Sequence, residues 1–225
     1  MADLETFRLA QEMAWASVAP SELATMAILG GSTVAFGPQL LFGEGEDCWQ
    51  GRWPRADPDY TMWKDLGVEV VSDSGARLVS RKDWWTQRTI VGFHEQLDAR
   101  PKGSSVLLVG GWNDRNSDPE VIRAGLQVLK ARAAEKNLKA VRVSLRQAGE
   151  PYTDWLEELY ADALGWPVVE SFAEIYSSLA PSSYWQQRNE GWAFNDADLH
   201  HRVWTPCAAR RLVGLARSIA DSRSC

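Results

Sequence analysis

Asp198-Leu199-His200-His201 contains two of the three histidines in this 225-residue chain. An Asp three residues before a His can fold back within one turn and accept the imidazole Nδ1 proton. That fixes the tautomer and leaves Nε2 free to act as a base. A base held in this way needs a nucleophile, and Gly30-Gly31-Ser32 offers a hydroxyl far upstream. A serine hydroxyl attacks poorly until a hydrogen-bonded base takes its proton during the attack. Ser32, His201 and Asp198 therefore form a candidate nucleophile, base and orienting acid. His200 competes for the role of base. Ala197, three residues before it, cannot orient it, although Asp196, four before, can reach; His201 is preferred. Taken singly, each residue also has a plainer reading: surface histidines, and a serine that caps a helix.

These residues must be brought together by the elements that carry them. Met26-Ala27-Ile28-Leu29 is a short apolar run ending at Gly30-Gly31, as a buried strand does on entering a tight turn, with Ser32 on the turn. Residues 67–71 read as a second strand that closes on Ser72-Asp73-Ser74-Gly75. Residues 105–109 are the clearest strand, an apolar run suited to burial on both faces of a parallel sheet. That run ends in Gly110-Gly111-Trp112-Asn113-Asp114. Residues 140–145 and 167–171 read as the fourth and fifth strands.

Between the strands lie helical stretches. Residues 3–16 form an amphipathic helix by their apolar spacing, within an N-terminal extension of residues 1–25. Residues 81–97 read as helical, with Ile90, Phe93 and Leu97 as the stripe and His94 a surface or packing residue. Asp118-Pro119-Glu120 is a helix start with an acid at the cap and Pro in the first turn. That helix runs to about Asn137, burying Ile122, Leu126, Leu129 and Ala133. A helix over 153–164 turns Trp155, Leu156, Leu159 and Tyr160 inward and stops at Gly165. Thr205-Pro206 opens a last one to about Ala220, burying Leu212, Leu215 and Ile219. Strands alternate with helices and no hairpin signal stands out. The expectation is one α/β domain over residues 1–225, a three-layer α/β/α sandwich on a mainly parallel sheet of about five strands. Ser32, Gly75, Gly111 and Asn113 all follow strands, so they should converge on the carboxyl edge of that sheet, where such folds bind ligands.

Composition narrows the function. A net charge of −6 with no Lys/Arg-rich run argues against a nucleic-acid surface. Cys48, Cys207 and Cys225 are odd in number and lack metal-ligand spacing, which argues against a disulfide framework or a metal centre. The first residues hold early acids and no apolar core of a secretory signal, and no apolar run approaches the ~20 residues of a membrane span. A soluble, reducing compartment such as the cytoplasm is the expected location.

The blocks Gly30-Gly31-Ser32 with Gly37, then Gly75, then Gly111-Trp112-Asn113-Asp114, then Asp198-Leu199-His200-His201 resemble, in order and spacing, the SGNH (GDSL-type) hydrolase superfamily. The resemblance spans roughly residues 26–220. It implies a three-layer α/β/α sandwich that cleaves esters or transfers acyl groups without metal or organic cofactor. It also implies roles: Ser32 as nucleophile, its N–H as the first oxyanion donor, Gly75 as the second and Asn113 as the side-chain donor. His201 would be the base and Asp198 its partner, with Gly111 in support. The sequence departs from the family pattern in two places, where Gly31 replaces the usual Asp and Arg202 the usual Pro after the catalytic His. Those departures keep open a second class, a silent SGNH-like binding or structural subunit.

Twelve tryptophans remain. Trp84, Trp85 and Trp155 fall in expected helices and read as core. Trp49, Trp53 and Trp63 lie in or beside the long segment 43–60, and Trp185, Trp192 and Trp204 flank the Asp-His motif. Both segments should border the mouth of the site, either as an aromatic wall for an ester substrate or as a surface for a protein partner.

Overall fold

The computed structural model describes residues 26–31, 39–40, 55–56, 61–73, 75–83, 87–146, 154–171, 194–195, 200–201, 203–204 and 206–222. The expected helix over 3–16 and residues Trp49, Trp53, Trp84, Trp85, Trp185 and Trp192 lie outside them.

Five strands make the central sheet: β1 (Met26–Gly30), β2 (Val68–Ser72), β3 (Ser105–Val109), β4 (Lys139–Ser144) and β5 (Val168–Ser171). They are ordered β2-β1-β3-β4-β5 and every neighbouring pair is parallel. The helices are α1 (Thr61–Asp65), α2 (Phe93–Asp98), α3 (Pro119–Glu135), α4 (Asp154–Leu164) and α5 (Pro206–Ser222).

Strand periodicity divides the core into two layers. Met26 and Ile28 of β1, with Leu107 and Val109 of β3, pack on the side that holds Trp63 of α1 and Ala209, Leu212, Val213, Ala216 and Ala220 of α5. Ala27, Leu29, Val106 and Leu108 face the opposite layer, with Phe93 and Leu97 of α2, Ile122, Leu126 and Leu129 of α3 and Leu156 and Leu159 of α4. Successive side chains of a strand point to opposite faces, so strands buried on both faces are mostly apolar, and β1 and, past Ser105, β3 are. The three-layer α/β/α sandwich and its parallel five-stranded sheet are as the sequence reading had them.

The Asp118 side chain accepts the Glu120 N–H at 2.8 Å and Pro119 opens α3, as the local sequence requires. Its buried stripe is Ile122, Leu126, Leu129 and Ala133. Gly165, with φ +62°, ends α4.

Four expectations need correction. Residues 81–97 are not one helix. Arg81–Lys82 pairs antiparallel with Thr89–Ile90, and only Phe93–Asp98 is helical. The hairpin closes through the Asp83 N–H to the Arg88 carbonyl at 2.8 Å and the Gln87 N–H to the Asp83 carbonyl at 2.9 Å, with Gln87 at φ +55°. No Asn-Gly turn signals it, and the Ile90, Phe93 and Leu97 stripe survives because all three enter the same core layer. Second, Trp155 is 37 % exposed, while Leu156, Leu159 and Tyr160 of α4 turn inward as expected. Third, Trp63 does not border a mouth; it is fully buried under α5. Fourth, α5 packs chiefly through Ala209, Leu212, Val213, Ala216 and Ala220, with Leu215 and Ile219 only half-buried. Small side chains on that face let the helix lie close to β4 and β5, with β3 beside them.

Candidate functional site

In the order β2-β1-β3-β4-β5 the chain leaves β1 to one side for β2 and later returns on the other side as β3. A crevice opens at such a switch point, beyond the carboxyl ends of the strands, and this is where parallel α/β sheets bind ligands. The ends of β1, β2 and β3 meet there. They carry Gly30-Gly31, the segment Asp73 to Ala76, and Gly110-Gly111 followed by a single 3-10 turn, Trp112–Asp114.

Asn113 is held across this edge. Its Nδ2 donates to the Ala76 carbonyl at 3.0 Å, tying the end of β3 to the segment after β2. The same nitrogen lies 3.4 Å from where a Cβ on Gly31 would stand. An amide nitrogen has two protons, so Ala76 can anchor the side chain through one while the other remains for a ligand. Gly31 immediately precedes Ser32 in the chain.

Gly111 is required where it stands. Its φ is +137°, a region L-residues avoid, and an added Cβ would lie 2.7 Å from the Tyr160 ring and hydroxyl. Tyr160 packs where that side chain would be. Gly75 also has a positive φ, +79°, with Arg81 Nη2 and Ile90 Cδ1 at 3.2 and 3.3 Å from its absent Cβ. A glycine there keeps the backbone bare on the loop that follows β2.

Asp73 organises that loop. Its N–H donates to the Gly30 carbonyl at 3.1 Å, and its carbonyl accepts the Ala76 N–H at 3.0 Å. One carboxylate oxygen takes Arg88 Nη2 at 2.7 Å and the other the Val91 N–H at 2.8 Å. Arg88 is the more basic for it: the bond to Asp73 and that carboxylate's charge push the guanidinium up from its ordinary value.

Beneath Asn113 lies a buried polar cluster. Asp114 is 4 % exposed and accepts the Leu78 N–H at 3.4 and 3.3 Å on its two oxygens. Burial pushes its carboxyl up to about 6, while the Leu78 N–H, the Arg77 charge and the Tyr160 hydroxyl pull it down. Tyr160 is raised well above the ordinary phenol value, first by burial and then by the Asp114 charge. Close by, Arg142 and Glu157 form a buried bidentate pair at 3.0 and 2.7 Å, and Glu157 also accepts the Leu145 N–H at 2.7 Å. This pair fixes the end of β4 to α4. Read from sequence, Asp114 is only a capping acid; its role in the interior had no signal beyond the aspartate itself.

The raised Asp114 predicts a specific pH dependence of stability. The folded state binds this proton more tightly than the unfolded chain does, so the stability it contributes is full below the unfolded carboxyl pKa of about 4. Stability then falls as pH rises from about 4 through the folded value of about 6. Asp114→Asn keeps the shape and an acceptor for Leu78. It should flatten this decline and stabilise the protein above pH 6 by about 1–3 kcal/mol, measured by urea unfolding across the range.

Of the residues singled out in the sequence, Gly75, Gly111 and Asn113 stand at this edge. Ser32 and Asp198 lie outside the described residues. His200–His201 is described in backbone alone, paired antiparallel with Phe194–Asn195. Val203–Trp204 runs parallel to Gln39–Leu40, so the segment just after the histidines lies beside the segment that follows Ser32. His94 is a packing residue, 5 % exposed, with Nε2 2.8 Å from the Gly125 carbonyl of α3. Among the described residues no group of His, Cys, Asp or Glu is placed to hold a metal ion, and no helix is long and apolar enough to cross a membrane.

No protein-family model matches the sequence, and comparison with curated proteins finds no match. Solved structures do match. A protein from Bacillus subtilis aligns with a TM-score of 0.50 at 15 % identity, over 89 % of this chain and 56 % of its own. The psychrotrophic esterase EstA from a Pseudoalteromonas species aligns with a TM-score of 0.49 at 13 % identity, over 89 % of this chain and 98 % of its own. A G-D-S-L family protein from Desulfitobacterium hafniense aligns with a TM-score of 0.44 at 13 % identity, over 87 % and 99 %. The strand order, the helices packed on both faces of the sheet and the Bacillus subtilis alignment show a three-layer α/β/α fold. A protein described as a putative SGNH hydrolase, from Slackia heliotrinireducens, also aligns, with a TM-score of 0.43 at 14 % identity over 87 % of this chain and 98 % of its own.

Proposed function

We propose that this protein is a serine-dependent ester hydrolase of the esterase, lipase or deacetylase type. The observation that carries the reading is the Asn113 amide, anchored on Ala76 and set against Gly31, the residue before Ser32, at the switch point of the sheet. The backbone pairing of Val203–Trp204 with Gln39–Leu40 supports it by bringing the histidine segment alongside the segment after Ser32.

Ser32 Oγ attacks the ester carbonyl carbon while His201 Nε2 takes the hydroxyl proton and Asp198 steadies the resulting imidazolium. The carbonyl π pair becomes an oxyanion, received by the N–H groups of Ser32 and Gly75 and by Asn113 Nδ2. Collapse of the tetrahedral intermediate breaks the bond to the alcohol, which leaves with the proton from His201. Water, or another acceptor, then attacks the acyl-serine by the same steps in reverse. The chemistry calls on no metal or organic cofactor, and the substrate is a small-molecule ester.

A fluorophosphonate probe tests the reading at once, because it forms a stable adduct only with an activated serine. We expect one adduct, at Ser32, and turnover on a panel of simple aryl and acetyl esters. Absence of both would favour a silent binding subunit. Asn113→Ala should slow turnover by about 10²–10³, the usual loss for one oxyanion donor, with KM little changed. A loss of tenfold or less would remove Asn113 from the oxyanion hole.

A further inference from the structure

Gln96 of α2 is a side-chain amide sunk into the end of the sheet, 2 % exposed. Its Oε1 accepts the Gly30 N–H at 3.0 Å, and its Nε2 donates to the Gly30 carbonyl at 3.2 Å. One side chain thus holds both polar groups of a single backbone residue, the last of β1. Nε2 also donates to the Val91 carbonyl at 3.0 Å. The Val91 N–H goes to Asp73 Oδ2 at 2.8 Å, and the Asp73 N–H returns to the Gly30 carbonyl at 3.1 Å. The bonds close a ring: Gly30, Gln96, Val91, Asp73 and Gly30 again.

We infer that Gln96 is a positioning residue for the proposed reaction, fixing Gly30, which leads to Ser32, against the segment that carries Gly75. The inference rests on the reading of Ser32 as nucleophile. Ser32 follows Gly30 by two residues, and Gly75 follows Asp73 by two. The two proposed backbone donors of the oxyanion hole therefore come from separate segments, and the ring sets their separation. Gly30 has no side chain with which to lock its own conformation, so the lock comes from α2. Buried amides satisfied on both sides are rigid, since any rotation would leave donors and acceptors unpaired. Displacing a reacting group by about 1 Å can cost about a hundredfold in rate without weakening substrate binding.

Gln96→Met keeps the length and loses every bond of the ring that Gln96 makes. We expect kcat on an aryl ester to fall roughly ten- to a hundredfold, with KM within about twofold. Fluorophosphonate labelling of Ser32 should slow in parallel. Leu212→Ala, in the core layer on the other face of the sheet, is the control for lost stability; it should lower Tm yet keep kcat. If Gln96→Met retained the kcat of Leu212→Ala, Gln96 would be merely structural and the inference overturned. If Gln96→Met does not fold, Asp73→Ala opens the same ring by removing the acceptor of the Val91 N–H, and an unchanged kcat there would overturn it equally. Failure of the wild type to label at Ser32 would instead sink the esterase reading, and the inference with it.

Discussion

Ser32→Ala is expected to abolish ester cleavage while leaving thermal unfolding nearly unchanged. Removing a catalytic serine typically costs about 10⁶-fold in kcat, because without the nucleophile only binding and the oxyanion donors remain. Its effect on stability should be slight for a separate reason. The two apolar layers are built from β1 to β5 and the helices on either face, and Ser32 lies past the end of β1. A hydroxyl bond there is worth about 1 kcal/mol at most. The measurement is turnover and Tm on the same purified preparation, with intact mass after fluorophosphonate treatment as a third reading. Retained turnover in the variant would remove Ser32 as the nucleophile, whatever the fold.

Much of the architecture was legible because it depends on periodicity. A strand buried on both faces is a near-continuous apolar run, and Val106-Leu107-Leu108-Val109 between Ser105 and Gly110 is one. Residues 119–135 show a helix by spacing and by the Asp118 cap. The stretch 81–97 misled for an equally physical reason. Ile90, Phe93 and Leu97 are spaced as a helical stripe, yet the same residues can face one core from a strand end and a short helix. What decides between these is tertiary: Asp73 takes the Val91 N–H, and Gly92 sits so close to Ser80 that a Cβ would meet its nitrogen at 2.4 Å. Neither contact has a local signature. Trp155 and Trp63 exchanged expected places because aromatic residues near a helix start or beside a loop can turn either way.

Of the candidate site, only the placing of Gly75, Gly111 and Asn113 was legible in this way; Ser32 and Asp198 lie outside the described residues. Asn113 and Gly111 follow a strand end, and strand ends in a parallel sheet converge. The residues that hold them do not announce themselves. Gln96 lies 66 positions from Gly30, and Tyr160 reaches Gly111 from α4. Such partners are set by packing, which a single sequence does not encode at any fixed spacing.

The adjacent histidines give the second large effect. If Asp198 orients His201, His201→Ala should lose most activity, by about 10³-fold or more, and His200→Ala much less. Asp198→Asn should also be damaging although it preserves shape, because an amide cannot stabilise the imidazolium and favours the wrong tautomer. Since the base must be neutral to accept the serine proton, the rate of the wild type should rise with pH through about 6.5. Asp114 titrates in nearly the same range, with its carboxyl raised to about 6 beneath Asn113, so the rise alone does not identify the base. The Asp114→Asn variant separates the two. It removes the buried carboxyl and leaves the imidazole, so a rate that still rises through about 6.5 belongs to histidine. A pH-independent rate in Asp114→Asn would transfer the titration to the buried acid. A heavier loss from His200→Ala than from His201→Ala would make His200 the base, with Asp196, four residues before it, as the carboxylate to test next.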